Sequence, residues 1–79
     1  MEKLKKVKEL IIETVKSYNT DWELNLDLTE FIDTVNKTDD LDELDDYVTD
    51  FLYSKDVLEK EYEVSDFWKY IYKSAAELI

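Results

Sequence analysis

Apolar residues recur every three or four positions at both ends of this chain, and the positions between them are filled mostly by Lys, Asp and Glu. Leu4, Val7, Leu10, Ile11, Val15 and Tyr18 fall on one helical face, so the spacing predicts an amphipathic helix over 2–18 that Asn19 or Thr20 ends. At the other end Phe67, Trp68, Ile71, Tyr72, Ala75, Leu78 and Ile79 form a broad apolar stripe through the C-terminus, with Ser65 as its cap. Asp27 with Glu30 three residues later opens a short helix carrying Leu28, Phe31, Ile32 and Val35, which Asn36 to Thr38 closes. A further helix starts at Thr38 or Asp40, gains a capping box from Asp40 and Glu43, and runs to about Tyr53.

Two stretches are ambiguous. From Trp22 to Leu28 apolar and polar residues alternate strictly, the signature of a short extended segment. An isolated strand has no partner, so residues 21–27 read as a connector pinned by Trp22 and Leu24, with a small hairpin or an edge strand as the other outcome. After Ser54 or Asp56, Val57, Leu58, Tyr62 and Val64 interleave with Asp56, Glu59, Glu61 and Glu63, a pattern compatible with helix, strand or loop. The predicted fold is all-α, a single domain over 1–79 built as a compact bundle of four to five short helices, with the first and last supplying much of the core.

Composition narrows the chemistry. The chain has no Gly, Pro, Cys or His. Helix ends must therefore be closed by Asn, Asp, Ser or Thr. Metal centres built on nitrogen or sulfur ligands are excluded, and no disulfide can staple this small domain. Without His the available bases are carboxylates, and Ser17, Ser54, Ser65 and Ser74 sit at helix boundaries or among periodic residues, where capping or solvation accounts for them. No catalytic residue is assigned and no enzymatic activity is expected. The acids from Asp39 to Asp46 fail the calcium-loop pattern, which needs alternating ligands and a glycine at the sixth place, so no metal or other cofactor is expected. No apolar run is long enough for a signal peptide or a membrane span, and a cytoplasmic protein is expected.

Charge changes the picture most. The net charge is −11, and the stretch from Asn19 to Asp66 holds seventeen acids against three lysines. Seven of the twelve residues from 39 to 50 are acidic. On the third helix Leu41, Leu44, Val48, Phe51 and Leu52 cluster on one side, while Asp39, Asp42, Glu43, Asp46 and Asp50 fall on the other. Glu59 and Glu63 extend the acidic surface beyond it. Like charges at these spacings repel by about 0.2–0.5 kcal/mol per pair, a penalty that salt should relieve. Direct nucleic-acid binding is disfavoured because phosphate contacts need clustered cations, and the one basic patch, Lys3, Lys5, Lys6 and Lys8, reads best as a solvated helix face.

In size, acidity and charge layout over residues 19–66, the chain resembles the phage-borne inhibitors that mimic DNA: anti-CRISPR proteins, anti-restriction proteins and uracil-DNA glycosylase inhibitors. Those proteins share no common fold, so no site is carried over from them. The resemblance implies a basic nucleic-acid-binding partner, a CRISPR or restriction nuclease effector, whose DNA cleft is occupied mainly by the acidic third helix; the charge pattern itself offers Asp39, Asp42, Glu43, Asp46, Asp50, Glu59 and Glu63 as the contact residues. Trp22, Tyr47, Tyr53, Tyr62, Trp68 and Tyr70 are candidate anchors beside them, with core packing as the competing role. The rival reading is an acidic neutraliser of a basic protein, in the manner of an antitoxin, an immunity protein or an anti-sigma regulator. A third is an acidic domain whose charge secures solubility, as a monomer or as a homodimer through the first or last helix.

Overall fold

Four helices follow one another in a computed structural model that describes residues 2–78, with side chains from 3 to 77: α1 (Glu2–Asp21), α2 (Thr29–Lys37), α3 (Leu41–Ser54) and α4 (Glu61–Leu78). The predicted all-α bundle is thus formed, with four helices rather than five. Short connections make successive helices antiparallel. Phe31 near the start of α2 meets Phe51 near the end of α3 at 4.3 Å between ring centroids, and Tyr18 late in α1 meets Phe67 early in α4 at 6.2 Å. α1 makes its largest contact with α4 and a smaller one with α2.

The core follows the helical periodicity. Val7, Ile11 and Val15 of α1, Phe31 and Val35 of α2, Leu44, Val48, Phe51 and Leu52 of α3, and Val64, Phe67, Trp68, Ile71 and Ala75 of α4 are buried together. No charged or polar residue is buried among the described residues. Leu41, expected on the buried side of α3, is its first residue and is 38% exposed, lining a surface groove with Lys3 and Leu4. Tyr72 lies at the edge of the α4 stripe and is half exposed. The side chain of Leu78 and all of Ile79, which end that predicted stripe, lie outside the described residues.

Helix ends show how a glycine-free chain turns. α1 continues to Asp21, past the predicted stop at Asn19. There Glu23 N–H reaches Thr20 O at 3.4 Å and Leu24 N–H reaches Asn19 O at 3.1 Å, with Glu23 at a φ of 50°. This is the paired closure of a Schellman turn, with Glu at the position Gly usually takes. α3 closes the same way: Asp56 N–H bonds Tyr53 O at 3.2 Å and Val57 N–H bonds Leu52 O at 2.9 Å, with Asp56 at a φ of 56°. The accompanying apolar contact is supplied by Val57 and Leu52, both buried.

No strand forms at 22–28. Glu23 and Asn25 both take positive φ, so Leu24, Leu26 and Leu28 turn inward in succession and the alternation arises without a strand. Asn19 remains helical and its amide takes the place of a strand partner, accepting from Leu26 N at 2.9 Å and donating to Leu26 O at 3.1 Å.

Two helix starts differ from the sequence expectation. Asp27 accepts from Thr29 N at 3.0 Å, so its carboxylate does cap the entrance of α2, but Leu28 occupies the N-cap backbone position. α4 begins at Glu61, four residues before Ser65. Glu63 bonds the backbone N of Lys60 at 3.1 Å, the return half of a capping box, and Ser65 is an exposed residue within the helix. The ambiguous stretch after Ser54 is therefore a short connector followed by the first turn of α4.

Candidate partner interface

α3 is set by its cap. The Asp40 carboxylate accepts from Asp42 N at 2.7 Å and from Glu43 N at 3.4 Å, satisfying two of the amides that a helix start leaves open. Burial of Leu44, Val48, Phe51 and Leu52 then fixes the rotation of the helix. Asp42, Glu43, Asp46 and Asp50 consequently face solvent together, on about a 100° arc. None of these four forms an ion pair among the described residues.

The other predicted acids are placed differently. Asp39 precedes the cap, and its carboxylate lies 3.9 Å from Lys8 Nζ. Lys8 is drawn out of the predicted basic patch, since its side chain is only 12% exposed and also donates to Asn36 O at 3.0 Å, near the C-terminus of α2 where a cation is favoured. Glu59 lies in the connector after α3, and Glu63 is engaged at the start of α4. Those two belong to the opposite end of the bundle from Asp39, so the seven acids divide into a row on α3 and a separate pair.

One acid was missed. Asp45 is half-buried beside α4, where it accepts from Thr49 Oγ1 at 3.1 Å, and Thr49 Oγ1 accepts from Trp68 Nε1 at 3.1 Å. This chain ties the charged helix to the core. Its partner lies nineteen residues away in sequence. Periodicity reports which face a residue takes but carries no sign of such a pairing. Tyr72 stacks on Trp68 with centroids 5.6 Å apart, and burial, followed by the charges of Asp45 and Asp42, pushes its phenol above the ordinary tyrosine value.

The candidate aromatic anchors separate equally clearly. Trp68 is core, and Tyr47 is half-buried beside Phe31. Trp22, Tyr53, Tyr62 and Tyr70 are exposed. Among the described residues no group of three or more carboxylates converges to hold a metal ion, and no helix is long and apolar enough to cross a membrane. No known family profile, curated protein or solved structure matches this chain.

Proposed function

We propose that the protein is an inhibitor that offers α3 to the nucleic-acid cleft of a basic protein, with a CRISPR or restriction nuclease as the class of target and a bacterial cytoplasm as the place of action. The observation that carries this reading is the outward row of Asp42, Glu43, Asp46 and Asp50, unpaired among the described residues, on a helix whose rotation is fixed by its core face. Acids three and four residues apart stand about 5–6 Å from one another. That spacing is of the same order as phosphates along one DNA strand, which advance about 3.4 Å per nucleotide along the axis. A cleft lined by Arg and Lys meets such a row as it meets a backbone. Long-range attraction speeds the encounter, and the complex weakens as salt rises. The rigid scaffold matters because a preset row loses little freedom on binding.

The test is a capture experiment. Purified protein is exposed to lysate of a bacterial host, eluted with rising salt and then with competing duplex DNA, and the released proteins are identified by mass spectrometry. Release of a basic DNA-binding protein by duplex supports the proposal. A salt-sensitive partner that duplex leaves in place overturns mimicry in favour of the neutraliser, and absence of any specific partner removes both.

A further inference from the structure

At the end of the bundle where α1 stops and α4 begins lies an aromatic surface that the acidic row does not use. Tyr18 and Trp22 stack with centroids 4.6 Å apart and planes 3° from parallel, and Tyr18 in turn rests on Phe67 of the core. Trp22 is nevertheless 50% exposed and Tyr70 of α4 is 55% exposed. The indole is held from beneath and open above. Its backbone is fixed as well, since Trp22 N–H bonds Tyr18 O at 3.0 Å and the following loop is tied by Asn19. Burial, then Tyr70, then Glu63 raise the Tyr18 phenol above the ordinary tyrosine value. Glu63 accepts from Lys60 N–H through one carboxylate oxygen and retains acceptor capacity on the other.

Tyr62 offers an instructive contrast. Lys60 Nζ sits 5.9 Å over its ring, so there the chain supplies its own cation. Among the described residues none lies over Trp22.

We propose that this platform binds an arginine side chain of a partner protein, the guanidinium lying flat on the open face of Trp22 within the acidic field of the chain. Charge selects this occupant. A second copy would bring another −11 to the contact, and a nucleic acid able to stack a base on Trp22 would bring its phosphates against the same acidic field. Arginine is favoured over lysine because a planar, weakly hydrated guanidinium stacks on an aromatic face, whereas an ammonium is a compact and strongly hydrated charge. The platform is a second contact for a basic partner, and it stands whether or not α3 imitates DNA.

The full-length protein, ¹⁵N-labelled, is titrated with an oligo-arginine and an oligo-lysine peptide of equal length, following the two indole N–H signals by NMR. Trp68 is the internal reference because its N–H is held by Thr49. The Trp22 signal should move saturably, and the arginine peptide should bind more tightly than the lysine peptide, by no more than the about two- to five-fold that a cation on an exposed ring contributes in all. Trp22→Ala should abolish that preference while leaving helicity unchanged, and Trp22→Phe, which keeps a ring, should retain part of it. Combined Asp42→Asn, Glu43→Gln, Asp46→Asn and Asp50→Asn should weaken both peptides and leave their ratio intact. Equal affinities in the native protein, or a preference that survives both Trp22 variants, overturns the proposal. Duplex DNA plays no part in this readout, so its failure leaves the α3 proposal standing and the reverse also holds.

Discussion

Glu23→Gly should stabilise the protein, and the size of the gain tests how the chain closes its helices. Glu23 occupies a left-handed backbone position at φ 50° in the turn that ends α1. A Cβ in that region costs about 1–2 kcal/mol. Glycine relieves the clash but loses more freedom on folding, about 0.5–1 kcal/mol. The difference is a net gain of up to about 1.5 kcal/mol, or up to about 12 °C in Tm for a domain of this size. Asp56 plays the same part at φ 56°, but a short polar side chain tolerates this region better, so Asp56→Gly should gain less. Each substitution also removes a negative charge from a chain of net charge −11, which is stabilising by itself. Glu23→Gln isolates that contribution because it removes the charge and keeps the Cβ. The assay is reversible thermal and urea unfolding followed by circular dichroism at fixed salt and pH. A glycine variant no more stable than the glutamine variant, or a larger gain at Asp56 than at Glu23, refutes the strain argument.

Three other outcomes are expected. Combining Asp42→Asn, Glu43→Gln, Asp46→Asn and Asp50→Asn should raise the denaturation midpoint at low salt, with the gap to the native protein closing as salt is added, while salt-sensitive partner capture is lost; Asp39 is left in place because it neighbours Lys8. Thr49→Val should destabilise by about 1–3 kcal/mol in urea unfolding, since it strands the Trp68 N–H and removes the donor to Asp45, and in a Trp68→Phe background the cost of the valine should shrink to that of the Asp45 bond. Tyr18 and Tyr72 hold their protons more tightly folded than unfolded, chiefly through burial, so their contribution is fully present below the ordinary value of 10.0 and is lost as pH rises through the higher folded values. Stability measured across that alkaline window should fall less steeply in the Tyr18→Phe, Tyr72→Phe double variant, and an unchanged slope counts against burial as the cause.

The helices and their buried faces were legible because helical periodicity is a local signal: Val7, Ile11 and Val15, and Leu44, Val48, Phe51 and Leu52, lie where their spacing puts them. Boundaries were less legible. Alternation at 22–28 has two physical sources, a strand or successive left-handed residues, and only the second lets Asn19 bond both backbone groups of Leu26. The start of α4 was hidden because Lys60 is a poor cap by type, whereas Glu63 three residues on supplies the bond. For the candidate interface, the outward row on α3 could be read directly. Its division from Glu59 and Glu63, the pairing of Asp39 with Lys8, and the anchoring of Asp45 to Trp68 through Thr49 are tertiary facts with no local trace.

The dominance of the α1 and α4 pairing bears on how the chain reaches this state. Its principal seam joins the first and last helices, about forty residues apart, so folding waits on a non-local encounter even though every element is local. Until α4 arrives, Val7, Ile11 and Val15 lack much of their cover, the condition in which unfinished chains aggregate. The segment between the two helices is the acidic one, and like charge on every copy holds such chains apart. The same carboxylates that strain α3 in the finished bundle therefore protect the chain while the bundle is still open.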